Sequence, residues 1–67
     1  MESILTKREK EIFELLLCNY SIIEIANIFN ISDKTVRNHI SNVIQKLDVS
    51  DRCQAIIVLL RLNEVYL

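Results

Sequence analysis

Apolar residues recur along the chain at spacings of three and four in four separate stretches, and polar residues separate these stretches. This spacing places the apolar side chains on one side of an α-helix, which has about 3.6 residues per turn. The pattern predicts helices at about residues 6–18, 21–29, 32–47 and 51–63. A chain of 67 residues has room for a single core. We therefore expect one all-α, four-helix domain that spans residues 1–67.

The predicted helix starts carry capping residues. Thr6 precedes Glu9 by three residues, and Ser21 precedes Glu24 by the same spacing. In such a capping box each side chain accepts a hydrogen bond from the backbone N–H of the other residue. The chain contains no Gly and no Pro, so its turns have to be made by Asn, Asp and Ser. The turns are expected at Asn19, at Asn30 and at the segment that begins with Asp48.

The third predicted helix has two unlike faces. Its apolar stripe is formed by Val36, Ile40, Val43 and Leu47. Its opposite face carries Lys34, Arg37, Asn38, Ser41 and Gln45. Arg and Asn side chains can pair bidentately with purine edges in the major groove of DNA. Since a short helix and a turn precede this helix, the pattern favours a helix-turn-helix; an αα-hairpin with an ordinary solvated face is the alternative.

The fourth predicted helix is apolar on nearly all sides. A terminal helix in so small a domain can bury one face, so the other face has to meet a partner or remain exposed, which monomers seldom tolerate. We therefore expect a homodimer, against the alternative that both faces pack internally. The predicted dimer interface consists of Ala55, Val58, Leu59 and Leu62. A second possible function is that of a helical protein-interaction module, whose working surface is this last helix.

Composition and charge narrow the possible functions. The net charge is −1, from eight Lys and Arg against nine Asp and Glu, which argues against broad, charge-driven binding of nucleic acid. Any positive field has to come from the arrangement of a few basic side chains. The longest apolar run, residues 55–60, is far too short to cross a bilayer. No signal peptide precedes the first helix, so we expect a cytoplasmic protein.

Little in the sequence indicates a metal site or catalysis. Cys18 and Cys53 are far apart and lack the Cys/His spacing of a zinc site, so we expect them to be reduced, buried side chains. His39 has no carboxylate or thiol at the spacing of a catalytic triad. No glycine is present to build a phosphate-binding loop. We expect no enzyme activity, no metal, no cofactor and no small-molecule ligand.

Several segments together resemble the LuxR-type (GerE-like) DNA-binding domain. They are Leu5-Thr6-Lys7-Arg8-Glu9, Glu24-Ile25-Ala26, Ile31-Ser32, Lys34-Thr35-Val36-Arg37-Asn38-His39-Ile40, Lys46-Leu47-Asp48-Val49 and Arg52 with Ala55. The resemblance covers nearly the whole chain and is specific as a joint pattern. It implies a transcriptional regulator whose third helix enters the major groove and whose fourth helix forms the dimer. Within the family, the chain is most similar to small free-standing regulators of spore-coat genes, which function in sporulation.

The resemblance also implies roles for individual residues. Lys34, Arg37, Asn38 and Ser41 would face bases or nearby phosphates, whereas Thr35 and Lys46 would contact the DNA backbone. Ile22 and Ile23 depart from the polar pair that family members commonly carry where the second helix meets a phosphate. The implied partners are double-stranded DNA at promoter operators, a second copy of the chain, and RNA polymerase. The DNA-binding output domain of a longer response regulator is a further alternative.

Overall fold

The computed structural model describes residues 4–65, and these residues form four α-helices. They are α1 (Lys7–Leu17), α2 (Ile22–Phe29), α3 (Asp33–Leu47) and α4 (Arg52–Arg61). No strand occurs among the described residues, so the all-α prediction is confirmed. The predicted helices were one or two residues too long at several ends, mainly because the predicted ranges included capping residues. Residues 1–3 and 66–67 of the predicted domain lie outside the described residues.

Local hydrogen bonds fix the start of each helix. The Glu9 N–H donates to Thr6 Oγ1 over 3.2 Å, and the Thr6 N–H donates to Glu9 Oε1 over 2.9 Å. Ser21 and Glu24 make the same reciprocal pair at the start of α2. Both predicted capping boxes are therefore confirmed. At the two remaining starts, the N-caps are Ser32 for α3 and Asp51 for α4.

Left-handed residues end the helices, as expected for a chain without glycine. The φ angle is 68° at Asn19, 54° at Asn30 and 54° at Asp48. Asn63, after α4, has a φ angle of 57°. At the turn between α2 and α3, the Ile31 N–H donates to the Ala26 carbonyl over 3.0 Å. This tight turn sets the crossing of α2 and α3, and both helices keep their buried side chains in one core.

The core lies around α3, which packs against α1, α2 and α4. Three residues of its predicted apolar stripe are buried, and Leu47 is partly buried against them. The buried hydrophobic side chains are Leu5, Ile12, Phe13, Ile25, Ala26, Val36, Ile40, Val43, Ala55, Leu59 and Val65. Val65 lies after the last helix, where the Glu64 N–H donates to the Leu59 carbonyl over 2.9 Å. Its burial was not predicted, because a single apolar residue after a helix gives no periodic signal.

The buried side of α4 differs from the prediction. Ala55 and Leu59 are both 0% exposed within the monomer, so their assignment to the dimer interface is wrong. Val58 is partly buried and Leu62 is 55% exposed. Both sides of this helix are apolar, so periodicity alone did not distinguish them. The side of α4 that carries Ala55 and Leu59 is the side that packs into the core.

The two cysteines also differ from the prediction. Both are free thiols, but both are exposed rather than buried. Cys18 is the C-cap of α1, and Cys53 lies in the first turn of α4. Each therefore occupies a helix end, where the neighbouring apolar residues of the sequence turn away from it towards the core.

The left-handed turn at Asp48 gives a prediction for stability. Asp48→Gly should raise the free energy of unfolding by about 0.5–1 kcal/mol, because glycine adopts positive φ without a Cβ clash. Urea unfolding followed by circular dichroism measures this change. Ser50→Gly is the control, since Ser50 has no positive φ and should lose stability through backbone entropy. A less stable Asp48→Gly protein would contradict the conformational account of this turn.

Candidate nucleic-acid interface

The surface that faces away from the core on α3 is built by the helix register. At about 100° per residue, positions 34, 38, 41 and 45 lie on one side, opposite the buried stripe. The exposed polar side chains of this surface are Lys34, Arg37, Asn38, Ser41 and Gln45. The structure therefore brings four predicted base-facing residues together on one exposed surface. We call Lys34, Arg37, Asn38 and Ser41 the polar face of α3.

The start of α3 is held rigid by its own cap. Ser32 Oγ accepts the Thr35 N–H over 3.0 Å, and the hydroxyls of Ser32 and Thr35 are 2.9 Å apart. Thr35 is partly buried, and its hydroxyl belongs to the cap. The first turn of the polar face is consequently preorganised, which reduces the entropy lost when it binds a ligand.

Arg37 also lines an open pocket of about 560 Å³ beside the polar face. The end of α1 with the turn after it and the N-terminal ends of α2 and α4 form the other walls of this pocket. The lining residues outside α3 include Tyr20, Ser21, Ile22, Ile23, Arg52 and Cys53. Two guanidinium groups, from Arg37 and Arg52, therefore border one concave surface. This arrangement places positive charge at one site on a chain whose net charge is −1.

Arg52 and Tyr20 border this pocket, although neither was predicted as a site residue. Arg52 was part of the family pattern, and this was the signal that could have found it. Tyr20 follows a turn and belongs to no periodic stretch, so nothing in the sequence marked it. Ile23 is 61% exposed at the edge of the same pocket. The two isoleucines at the start of α2 thus give this edge an apolar character.

Lys46 lies apart from the polar face and is bound within the domain. Its Nζ is 2.6 Å from Glu9 Oε1, and Glu9 is only 3% exposed. Burial raises the pKa of the Glu9 carboxyl, but the hydrogen bond from Lys46 and the Thr6 amide outweigh burial, so its pKa lies below the ordinary value. Any contact of Lys46 with a DNA phosphate therefore has to compete with Glu9.

Within residues 4–65, no group of three or more His, Cys, Asp or Glu side chains is placed to hold a metal ion. In the same segment, no helix has the length and apolar character needed to cross a membrane.

Comparison with known proteins adds sequence and structural relatives. The sequence pattern of the bacterial regulatory proteins of the luxR family matches residues 3–59. The spore germination protein GerE of Bacillus subtilis is 56% identical over 64 residues, which is 96% of this chain and 86% of that protein. The solved structure of the transcription factor GerE has a TM-score of 0.95, is 60% identical and covers 97% of both chains.

Longer regulators match over part of their length. The transcriptional regulatory protein DegU of Brevibacillus brevis is 48% identical over 81% of this chain, which is 23% of that protein. The response regulator protein VraR of Staphylococcus aureus is 50% identical over 81% of this chain, which is 26% of that protein. The chain thus spans about a quarter of these two relatives. DegU, VraR and the solved GerE structure are named as regulators or as a transcription factor rather than as enzymes, in agreement with the sequence prediction.

The ion pair between Glu9 and Lys46 gives a prediction for pH dependence. The pKa of Glu9 is lowered on folding, so its ionised form stabilises the fold at neutral pH. This contribution is lost as the pH falls through the folded-state pKa, which lies below the ordinary value of 4.5. Glu9→Gln should therefore lower the free energy of unfolding by about 1–2 kcal/mol near pH 7. The difference from the unsubstituted protein should shrink near pH 3, as measured by urea unfolding.

Glu11→Gln serves as the control for this experiment. Its exposed pair with Arg8 is 4.0 Å long and should contribute little. A Glu9→Gln deficit that stays constant between neutral and acidic pH would contradict an electrostatic role for Glu9.

Proposed function

Because the chain belongs to the luxR family of bacterial regulatory proteins and carries the DNA-binding helix-turn-helix of that family, we propose that it reads DNA sequence in the major groove as a homodimer. The observation that carries this proposal is the polar face of α3. This face is exposed and nearly free of carboxylates, and it belongs to a helix that packs against the other three helices.

Base recognition is assigned to the polar face. The Arg37 guanidinium can donate two parallel hydrogen bonds to guanine O6 and N7, and the Asn38 amide can pair with adenine N6 and N7. Lys34 and Ser41 lie one turn away on either side and can reach bases or adjacent phosphates. Each good bidentate pair discriminates against the wrong base by on the order of 1–3 kcal/mol.

Contacts to the DNA backbone are assigned to the margins of this face. Arg52 and the N-terminal end of α2 border the same pocket as Arg37, so they can hold a phosphate while α3 occupies the groove. Thr35 and Lys46 lie on the other side of α3 and are further candidates for backbone contact. Because Lys46 is paired with Glu9, we expect a smaller contribution from Lys46 than from Arg52.

Dimerisation compensates for the low net charge of the chain. One domain with a net charge of −1 offers few phosphate contacts, and two domains on one duplex double them. A two-fold dimer places its recognition helices at half-sites on one face of the duplex, about 34 Å apart or a multiple of this distance. We therefore expect operators with paired half-sites.

The proposed dimer surface is the outer side of α4. Ile57 lies opposite the buried Ala55 and Leu59 side and is 53% exposed. Partly or fully exposed neighbours on α4 include Val58, Leu60 and Arg61, and Leu62 follows at its end. An aliphatic patch bordered by arginine can pack against its own copy around a two-fold axis. At about 100° per residue, Val58 and Leu62 lie nearer the buried side of α4 than Ile57 does. They are therefore proposed as contacts at the edge of the interface, with Ile57 on the outer side of the helix.

The similarity to the spore germination protein GerE over 86% of its length supports a role in sporulation. We propose that the protein acts in the cytoplasm at promoters of sporulation genes, with RNA polymerase as a further partner. The partial matches to DegU and VraR support the alternative that the same domain serves as the output domain of a longer regulator. Either arrangement uses the same DNA-reading surface.

Substitution of Arg37 tests base recognition. Arg37→Lys keeps the charge but loses the guanidinium fork, so affinity for the operator should fall by about 5–150-fold while affinity for random duplex changes little. Fluorescence anisotropy at fixed salt measures both affinities. Lys7→Ala, which removes an exposed charge at the start of α1, is the control and should leave specificity unchanged. Equal losses on operator and random duplex would show that Arg37 contacts only the backbone.

Substitution of Ile57 tests the dimer surface. Ile57→Asp should give monomers by sedimentation, because the partner face would have to bury a carboxylate. The helical circular dichroism should persist, since Ile57 is half exposed. Ile23→Asp is the matched control, as Ile23 is similarly exposed but lies on α2. An unchanged dimer in Ile57→Asp would reject this surface.

A further inference from the structure

A second groove lies between the C-terminal half of α1 and the last turn of α2. Its volume is about 320 Å³, and it is lined by Glu11, Glu14, Leu15, Cys18, Ile28 and Phe29. It shares no lining residue with the pocket beside Arg37. It also includes no residue of α3 or α4. Neither the proposed DNA contacts nor the proposed dimer therefore uses this groove.

The floor of the groove is apolar and well ordered by its neighbours. Ile28 is 53% exposed, and Leu15 and Phe29 pack against the core while keeping part of their surface open. The Arg8 guanidinium carbon lies 4.1 Å from the centre of the Phe29 ring, a cation–π contact that holds the ring in place. The floor is thus a preformed apolar surface rather than a gap between loose side chains.

The rim of the groove is acidic. Glu11 and Glu14 are one helical turn apart on α1 and both border the floor. Arg8 offsets the charge of Glu11 only weakly, because their closest approach is 4.0 Å and both side chains are about 40% exposed. An apolar floor beside two carboxylates complements an aliphatic side chain that is flanked by lysine or arginine.

This chemistry excludes two simpler occupants. DNA phosphates would be repelled by Glu11 and Glu14, so the groove is not an extension of the nucleic-acid surface. A second copy of the chain, related by a two-fold axis at this groove, would bring the same two carboxylates against each other. The acidic rim therefore favours a different protein with the opposite charge.

We propose that this groove between α1 and α2 binds a basic, amphipathic segment of a partner protein. An aliphatic residue of that segment packs against Ile28, Leu15 and Phe29, and its lysine or arginine neighbours pair with Glu11 and Glu14. The contact is of the helix-in-groove kind. It is independent of DNA binding, because the residues of the groove are separate from the polar face of α3.

Two designed peptides test the groove directly. Each is a helix of about 14 residues with leucine on one face; the other positions are lysine in the first peptide and glutamate in the second. Each peptide is titrated into nitrogen-15-labelled protein and followed by amide chemical shifts. The lysine peptide should shift the amides of Leu15, Cys18 and Ile28 saturably, and the glutamate peptide should not. Equal binding of both peptides, or shifts confined to other surfaces, would overturn the proposal.

Two substitutions on the same helix provide the matched control. Ile28→Ser should weaken binding of the lysine peptide by about tenfold, through loss of the buried aliphatic contact. Ile23→Ser removes a similarly exposed isoleucine of α2 outside the groove and should change binding less than about twofold. Equal effects of the two substitutions would overturn the proposal. DNA binding by Ile28→Ser should be unchanged. A negative result for peptide binding in the groove can therefore be distinguished from a loss of DNA binding.

Discussion

Glu9 connects the start of α1 to the end of α3, and the relative orientation of these two helices depends on it. Its carboxylate is almost completely buried, yet it accepts the Thr6 N–H at the start of α1 and pairs with Lys46 at the end of α3. The carboxylate is thereby satisfied by a local cap and by a residue 37 positions away. Removal of either partner would leave a polar group buried without its full set of hydrogen bonds, which is costly. α1 and α3 are consequently held in one relative orientation.

The orientation of α3 determines which side chains the domain exposes to a partner. Because α3 packs against α1, α2 and α4, its buried stripe is fixed, and its polar face has to point outwards. The same packing brings the N-terminal ends of α2 and α4 beside Arg37. Three left-handed residues, Asn19, Asn30 and Asp48, make the turns without glycine. A small core and short turns thus leave the polar face of α3 exposed to partners.

Features that depend on nearby residues were predictable from the sequence. The capping boxes at Thr6 and Ser21 and the two faces of α3 follow from spacings of three and four residues. The buried side of α4 was not predictable, because both sides of this helix are apolar. The pair between Glu9 and Lys46 has no local signal at all. The two exposed cysteines show that an apolar neighbourhood in sequence does not establish burial at a helix end.

The central claim is that the polar face of α3 reads a specific DNA sequence. The most direct measurement is selection of binding sites from a random duplex pool, followed by titration of the best site at several salt concentrations. This account predicts an enriched motif in paired half-sites, with log affinity that falls linearly with log salt concentration as phosphate contacts release counterions. A folded, dimeric protein that enriches no sequence would contradict the claim.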